Sequence, residues 1–539
     1  MLLLKINNPV LKGFNPDPSI CRVGDDYYIA TSTFDWFPGV QIHHSKDLVN
    51  WHLVSQPLDR VELLDMRGNP DSGGVWAPQL SYEEGQFWLI YSNIRVIDGN
   101  VWKDGYNYLT TSETIDGKWS DPVFLNGSSF DPSLFHDDDG KKYLVNPYWD
   151  PRPDKHHFYG IELTEYDHEQ KKLVGEPKFI YRGTDWGLVE APHIYKENGY
   201  YYLLTAEGGT KFEHASMIAR SKDIYGPYEE HPDNPFITSY PYPKIELQKA
   251  GHGSIVETQN GEWYFAHLMA RPVLPEGTKL AETRGYAPLG RETSIQKVEW
   301  KEDWPYVVGG NKPSVEVEAP DLPEQTWDRD YPVVDHFDSD TLNRQFQTLR
   351  IPFTDEIGSL TARKGHLRLY GKESFHSQFV QSLVARRWQS LDFEAETKVE
   401  FEAETIQQQA GLVNYYNTKN WTSIHVTWNE EHGKVIDITS CDRFNTTRPT
   451  AGQEIPVPED ASAVYFKVKV DEKNYQYSYS FDGETWEEIP IKFESYKLSD
   501  DYIEEDGFFT GAFVGMSAID LSGFGKPADF DYFRYEEFN

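Results

Sequence analysis

A repeat of about 60 residues runs through the first part of the chain and limits what it can fold into. Its five copies start at Asp17, Ala77, Asp131, Ala191 and Gly253, which lie 54 to 62 residues apart. In each copy a few strand-like residues are followed by a polar turn and an aromatic-rich strand, which is typical of a β-hairpin. The spacing leaves room for two more strands per copy. Four-stranded units repeated radially indicate a β-propeller.

We therefore predict an all-β protein that begins with a five-bladed β-propeller over residues 1–310. Little helical periodicity separates the copies, which disfavours a parallel α/β array, and solenoid repeats are usually shorter. Residues 311–327 are rich in Pro and Gly and are predicted to form a linker. Residues 328–539 contain many short runs of alternating apolar and polar residues, which predict a β-sandwich domain.

The repeat also predicts which side chains meet. Aligned positions should surround the mouth of a central channel if the first strand of each copy is innermost. One column contains Asp17, Ala77, Asp131, Ala191 and Gly253, and the column before it contains Pro16, Trp76, Phe130, Glu190 and His252. Carboxylates on an inner strand are costly unless they are paired or functional. We therefore expect three carboxylates, one histidine and two aromatic rings to converge there.

Carboxylates in a cleft with aromatic walls suit glycoside hydrolysis. One acid protonates the leaving oxygen while a carboxylate activates water or attacks carbon. A third carboxylate near the acid would raise the pKa of that acid. Metal binding centred on His252 is the competing use of the same residues, and ordinary blade packing is the alternative role of the aromatic rings.

The net charge of the chain limits its possible binding partners, and its cysteine content indicates the cellular compartment. The 51 Lys and Arg residues against 87 Asp and Glu give a formal net charge of −36. This excess disfavours nucleic acid, anionic membranes and polyanionic substrates as partners. Two cysteines in 539 residues make neither a disulfide framework nor a metal cluster, and they favour a reducing compartment. The first residues lack a signal-peptide pattern, so we expect a cytoplasmic protein without a membrane partner.

Six motifs in order resemble glycoside hydrolase family 43, specifically its two-domain β-xylosidases. They are "NPDPSI", "VWAPQL", "FDPSLFHDDDG", "VEAPHIY", "GHGSIVET" and "PLGRET", and the resemblance extends over essentially the whole chain. It implies a propeller followed by a sandwich, and an inverting, exo-acting enzyme. Matched by motif, Asp17 is implied as general base, Glu190 as general acid, and Asp131 as the residue that tunes and orients the acid. Ala191 departs from the Glu-Gly-Pro-His pattern that is frequent in the family.

The same resemblance implies a set of substrate-binding residues. Phe34 and Trp76 would form walls of a sugar pocket, and Arg291 would contact sugar hydroxyls or the catalytic carboxylates. His252 matches a histidine that lines the channel and in relatives can hold a calcium ion, although the chemistry itself requires no cofactor. An aromatic residue of the second domain would close the pocket as a lid. The implied substrate-binding residues are Phe34, Trp76, Ala77, Phe130, His252, Arg291, Phe508 and Phe509.

The implied reaction is removal of single D-xylose units from the non-reducing ends of β-1,4-xylo-oligosaccharides. An α-L-arabinofuranosidase or an arabinan-degrading hydrolase is an alternative, since the two sugars present similar edges. A retaining fructosidase-like propeller would need an Asn-Asp-Pro-Asn start, which "NPDPSI" does not supply. A sugar-binding propeller without catalysis is the non-enzymatic alternative. Relatives of this kind are often dimers or tetramers, so a homo-oligomer is expected.

Overall fold

The computed structural model describes residues 4–97, 101–327, 331–503 and 508–538. Regular structure in these residues is almost entirely β, with one four-residue α-helix at Asp500–Ile503 and a 3₁₀ turn at Ser495–Lys497. None of the helices in the described ranges is long and apolar enough to span a bilayer. The chain divides into two compact units. The first unit comprises Met1–Asp35, Gly39–Pro272 and Arg291–Asp328, and the second comprises Trp36–Pro38, Val273–Gly290 and Arg329–Asn539.

The first unit contains five antiparallel sheets of four strands, which we number as blades 1 to 5 in chain order. A fifth short strand, Ile237–Thr238, pairs with the third strand of blade 4. The strands are Ser19–Val23, Asp26–Thr31, Gln41–Ser45 and His52–Ser55 in blade 1; Gly74–Glu83, Gln86–Ile97, Lys103–Ser112 and Val123–Asn126 in blade 2; Ser133–His136, Lys142–Trp149, Phe158–Asp167 and Lys172–Tyr181 in blade 3; Glu190–Glu197, Tyr200–Glu207, Ala215–Ser221 and Glu229–Glu230 in blade 4; and Gln248–Glu257, Trp263–Ala270, Glu292–Lys301 and Trp304–Val307 in blade 5.

Hydrogen bonds between the first strands of neighbouring blades close the sheets into a ring. Each junction carries at least one bond, including the junction of blade 5 with blade 1. In order around the ring the bonds are Leu80 N to Ser19 Oγ (3.1 Å), Leu134 N to Gln79 Oε1 (3.1 Å), Ser133 Oγ to the Pro192 carbonyl (2.5 Å), Ile255 N to Tyr195 Oη (2.9 Å) and Ile20 N to Ser254 Oγ (2.7 Å). The first strand of every blade is therefore innermost, and the prediction of a five-bladed propeller is confirmed.

Tight two-residue turns close the inner hairpins of blades 2 and 4. Glu84 and Gly85 in blade 2, and Asn198 and Gly199 in blade 4, all have positive φ. Two-residue hairpin turns need such a pair because it matches the right-handed twist of the strands. Apolar side chains of the blades then pack into separate cores, such as the cluster that contains Tyr202 and Phe265.

The segment predicted as a linker contains regular structure. Its Glu316–Glu318 strand pairs antiparallel with Lys5–Asn7, near the beginning of the chain. Farther on, Trp327 packs its ring 4.0 Å from that of His52 and donates from Nε1 to the Asn50 carbonyl. The Pro- and Gly-rich composition predicts a linker, and composition carries no information about strand pairing with a distant part of the chain.

The second unit contains two antiparallel sheets. The buried residues of one apolar core come from strands of both, including Leu412, Ile424, Val468 and Phe530. This arrangement confirms the predicted β-sandwich.

Neighbouring strands within each sheet of the second unit are hydrogen-bonded in a fixed order. One sheet runs Gly358–Ser359, Leu367–Tyr370, Pro527–Glu537, Asp392–Glu400, Val464–Asp471, Asn474–Ser480 and Glu487–Glu494, with Val334–Asp335 beside Pro527–Glu537. The other runs Ser382–Arg387, Phe513–Asp520, Gln408–Asn417, Asn420–Asn429, Gly433–Asp442 and Asn445–Thr447, with Ile455–Pro456 beside Gly433–Asp442. Trp36–Phe37 and Thr348–Leu349 form a separate pair.

Candidate functional site

An unusual backbone conformation recurs where the inner strands of the propeller begin. Residues with positive φ occur there in all five blades, at Asp17 (56°), Ala77 (31°), Asp131 (49°), Ala191 (50°) and His252 (41°). Residues other than glycine rarely adopt this region, and when they do they are concentrated at functional sites. The repeat in the sequence is therefore a repeat in backbone geometry, and it places the predicted carboxylates at the same end of the ring.

The fifth blade corrects the sequence alignment by one position. The alignment placed Gly253 beside Asp17 and Asp131, whereas the left-handed residue of blade 5 is His252. The pairing of Gln248–Glu257 with its neighbour shifts register between Gly251 and Gly253, as in a β-bulge. The sequence contains the same register, because His252-Gly253-Ser254-Ile255 aligns with Asp17-Pro18-Ser19-Ile20 and so puts His252 in the column of the two aspartates.

Asp17 is held in place by three polar side chains. Ser32 Oγ donates to Oδ2 at 2.6 Å and Arg291 Nη1 donates to Oδ1 at 3.0 Å, while His252 Nδ1 lies 3.6 Å from Oδ1. Burial would raise the pKa of Asp17, but the Arg291 charge, His252 and the Ser32 hydrogen bond together hold that pKa below its ordinary value. Asp17 is consequently an ionised carboxylate at neutral pH. Arg291 thus contacts Asp17, one of the two partners predicted for it, while contact with sugar hydroxyls stays a prediction.

Glu190 and Asp131 favour the protonated form. Burial, and the negative charge of Asp17, raise the pKa of Glu190 to about 7, although Lys103 and Arg291 oppose the increase. Burial also raises the pKa of Asp131 well above its ordinary value, with further contributions from Glu190 and Asp17. The charge that disfavours ionisation of Glu190 thus comes from Asp17. One site thus combines a carboxylate whose pKa is lowered with two carboxyls whose pKa values are raised, which is the requirement for paired base and acid chemistry.

Lys103 is a member of the site that the sequence analysis did not find. Its Nζ lies 4.4 Å from the ring centroid of Phe130, 4.1 Å from that of Trp149 and 5.1 Å from that of Trp76. Burial lowers the pKa of Lys103 to about 8, while the charges of Glu190 and Asp131 act in the opposite direction. Lys103 starts the third strand of its blade, so it belongs to neither repeat column and its spacing carried no signal.

Aromatic rings form a continuous arc beside the carboxylates. Phe34 and Trp76 have ring centroids 5.8 Å apart, and Trp76 and Phe130 are 5.4 Å apart. Phe14 extends the arc at one end, 5.7 Å from Phe34, and Trp149 at the other, 6.1 Å from Phe130. Rings presented in this way suit the apolar faces of a sugar. Phe14 and Trp149 were missed because they lie outside both the repeat columns and the quoted family motifs.

Ala77, predicted to bind substrate, contributes a backbone contact to the site. Its N–H donates to Ser32 Oγ at 2.8 Å, and Ser32 in turn bonds Asp17. Trp76, the preceding residue, is fixed by a bond of 2.7 Å from Nε1 to the Ser72 carbonyl. Through Ser32, these hydrogen bonds connect blades 1 and 2 next to the carboxylate of Asp17.

His252 does not assemble a metal centre with its neighbours. Within the described parts of the chain, no group of three or more His, Cys, Asp or Glu side chains could hold a metal ion. Calcium prefers six to eight oxygen ligands, whereas Asp17 beside His252 is already bonded by Arg291 and Ser32. Burial lowers the pKa of His252, so the ring is neutral despite the opposing charge of Asp17. The residues present therefore do not fit a directly ligated calcium ion.

Phe508 and Phe509, the predicted lid residues, belong to the second unit. Their ring centroids lie 4.4 Å apart, and Phe508 packs against the sandwich core. The first residues of the predicted lid segment, 505–507, fall outside the described ranges. The lid stays a prediction.

Comparison with known proteins identifies the family. The model of "Glycosyl hydrolases family 43" matches residues 6–305. A second model, "Beta xylosidase C-terminal Concanavalin A-like domain", matches residues 334–536. The chain belongs to glycosyl hydrolases family 43.

Relatives of this family-43 chain match it from end to end. The protein of Bacillus subtilis (strain 168) named Beta-xylosidase is 61% identical over 534 residues, covering 99% of this chain and 100% of the relative. Xylosidase/arabinosidase 43B of Humicola insolens is 46% identical, covering 98% and 97%. The crystal structure of xylan beta-1,4-xylosidase from Bacillus halodurans C-125 superimposes with a TM-score of 0.95 at 53% identity, covering 99% and 100%. The family-43 protein is a glycoside hydrolase.

Proposed function

We propose that the protein is an inverting, exo-acting β-xylosidase that removes single D-xylose units from the non-reducing ends of β-1,4-xylo-oligosaccharides. The observation that carries the proposal is that two carboxyls of one buried site, Asp17 and Glu190, have pKa values shifted in opposite directions. Asp17 is ionised beside Arg291, while the pKa of Glu190 is raised to about 7. A general base and a general acid need these opposite states at the same pH.

The reaction requires one displacement at the anomeric carbon. Asp17 takes a proton from a water molecule while the water oxygen attacks that carbon. Glu190 gives its proton to the glycosidic oxygen as the bond from that oxygen to the anomeric carbon breaks. Asp17 then releases its proton and Glu190 regains one from solvent, so the catalyst is restored. Carboxyls about 6.5–9.5 Å apart leave room for the water and invert the configuration.

The remaining polar groups hold the two catalytic residues in these states. Arg291 and Ser32 fix both oxygens of Asp17 and keep it charged. Asp131, whose own pKa is raised by burial and by the charges of Glu190 and Asp17, interacts electrostatically with Glu190 and is suited to orient it. The ammonium of Lys103 limits how far the pKa of Glu190 rises.

The names of relatives support xylose first and arabinose second. Beta-xylosidase is the name of the relative at 61% identity, and Xylosidase/arabinosidase 43B is the name of one at 46%. Rates on paired 4-nitrophenyl β-D-xyloside and α-L-arabinofuranoside test the choice, and xylobiose tests the linkage. We expect kcat/KM to be higher for the xyloside. A higher kcat/KM for the arabinofuranoside would instead indicate an α-L-arabinofuranosidase. Binding of xylobiose without any product would instead support a non-catalytic sugar-binding propeller.

The pH dependence follows from the directions of the two pKa shifts. Activity requires Asp17 ionised and Glu190 protonated, so kcat/KM should be lost as pH falls through the lowered pKa of Asp17 and as pH rises through about 7. A profile of kcat/KM for xylobiose between pH 3 and pH 9 should therefore be bell-shaped with its basic limb near neutrality. A rate that keeps rising through pH 8 would contradict the assignment of Glu190 as the acid.

The proposal also covers the cellular location, the oligomeric state, the lid and calcium. A cytoplasmic location is supported by two cysteines that are both buried free thiols. A dimer or tetramer is supported by large apolar side chains left exposed on the sandwich, Phe524 at 91% and Leu521 at 57%. We propose that a lid residue, Phe508 or Phe509, limits cleavage to chain ends, and that calcium, if it binds near His252, does so through water and not in the chemistry.

A further inference from the structure

A buried carboxylate outside the catalytic set lies directly behind the proposed acid. Glu207 ends the second strand of blade 4 and is completely buried. Its neighbour Ala206 is the residue paired with Glu190 across the hairpin. The reaction proposed above makes no use of Glu207. A buried ionisable group of this kind needs a structural or functional reason.

Glu207 binds the loop that leads into Glu190. The N–H of Thr184 donates to both Oε1 and Oε2 at 3.1 Å, and Thr184 Oγ1 donates to Oε2 at 2.6 Å. Burial raises the pKa of Glu207 to about 7, although these bonds from Thr184 favour the charged form. The loop is bonded to the hairpin a second time, since Gly208 N donates to the Gly187 carbonyl at 2.8 Å. We call the three bonds between Thr184 and Glu207 the latch.

The loop adopts a conformation that it is not expected to keep without support. Gly187 and Leu188 have φ of 79° and 58°, and left-handed geometry is unfavourable for a leucine. A Cβ added at Gly183, whose φ is 82°, would lie 2.9 Å from Cβ of Val189, so the loop folds back closely on the residue before Glu190. Unfavourable backbone persists only where the surroundings over-determine it. The latch supplies that constraint six residues before the acid.

We propose that Glu207 and Thr184 position the general acid, so that the latch controls proton donation by Glu190 and leaves the action of Asp17 unchanged. The inference rests on the proposed function of Glu190. Glu207 is a positioning residue: it acts through the loop and not on the substrate. A displacement of about 1 Å at a catalytic group can cost on the order of 100-fold in rate. Loss of the latch bonds should therefore lower kcat/KM most for substrates whose leaving oxygen needs a proton.

The test compares two leaving groups in the full-length enzyme. Phenyl β-D-xyloside needs protonation of its leaving oxygen, whereas 2,4-dinitrophenyl β-D-xyloside does not. In Glu207→Ala we expect kcat/KM to fall at least about tenfold for the phenyl substrate and less than about twofold for the dinitrophenyl substrate. Glu207→Gln should recover part of the loss, and Thr184→Ser should retain more activity on the phenyl substrate than Thr184→Val. Equal losses on both substrates, or no loss on either, would overturn the proposal.

A matched control and a second readout separate the possible failures. Glu229→Gln removes an exposed carboxylate on the fourth strand of the same blade, where it pairs with Arg220 and not with the latch, so the leaving-group ratio should not change. Titration of Glu190 by carbon-13 NMR needs no substrate. We expect its pKa to fall by at least about half a unit in Glu207→Ala as the acid gains water. An unchanged pKa would overturn the latch, whereas a wild-type enzyme inactive on both xylosides would overturn the proposed function instead.

Discussion

Replacement of Asp17 by Asn is expected to lower kcat/KM roughly 10³- to 10⁴-fold on every xyloside, whatever its leaving group. The substitution removes the carboxylate that takes the proton from water, and an amide cannot replace it. Protonation of the leaving oxygen by Glu190 does not compensate, because the attacking water stays neutral. Rates on xylobiose and on 2,4-dinitrophenyl β-D-xyloside should therefore fall together. This uniform loss is the signature of a base.

Asn is chosen because it keeps the shape of Asp17 and an acceptor for Ser32. Arg291 loses its charged partner in the variant and both residues are buried, so the melting temperature is measured alongside the rates. Asp25→Asn, at the exposed hairpin turn of the same blade, is the matched control and should keep full activity. A folded Asp17→Asn enzyme within about tenfold of wild type would disprove the role of Asp17 as base.

Replacement of Glu190 by Gln is expected to separate substrates by leaving group. Hydrolysis of xylobiose, whose leaving alkoxide needs a proton, should fall by roughly 10²- to 10⁴-fold. The dinitrophenyl xyloside should stay within about tenfold of wild type, since its leaving group departs as a stable anion. The basic limb near neutral pH should also disappear with the activated substrate, because that limb reports the pKa of Glu190, about 7.

Glu197→Gln tests whether these effects are specific to the acid. Glu197 lies at the opposite end of the same strand, Glu190–Glu197, and should be replaceable without altering the leaving-group ratio. A Glu190→Gln enzyme that loses both substrates equally would assign Glu190 a structural role or a different chemical one.

The repeat predicted the fold because it is a physical consequence of the fold. Hairpins of similar spacing form equivalent blades, so spacing alone places Asp17 and Asp131 at one end of a ring. The positive φ shared by these positions shows that the repeat specifies backbone conformation as well as spacing. The alternation of apolar and polar residues predicted the sandwich for a comparable reason, since strands with one buried face have a period of two.

Features that depend on irregular or distant geometry could not be predicted in this way. Lys103 and Trp149 lie on the third and second strands of their blades, outside the repeated first strand, so neither has a repeat signature. The pairing of Glu316–Glu318 with the beginning of the chain joins segments about 310 residues apart, beyond any local pattern.

The stereochemistry of hydrolysis tests the central claim most directly. Proton NMR of phenyl β-D-xyloside, which releases a single xylose and a phenol, distinguishes the anomers of that xylose during the first minutes of hydrolysis, before they interconvert. A single displacement, with Asp17 activating water and Glu190 protonating the leaving oxygen, predicts that the released sugar appears first as α-xylose. Initial release of β-xylose would require two displacements through an enzyme-bound sugar and would contradict the account.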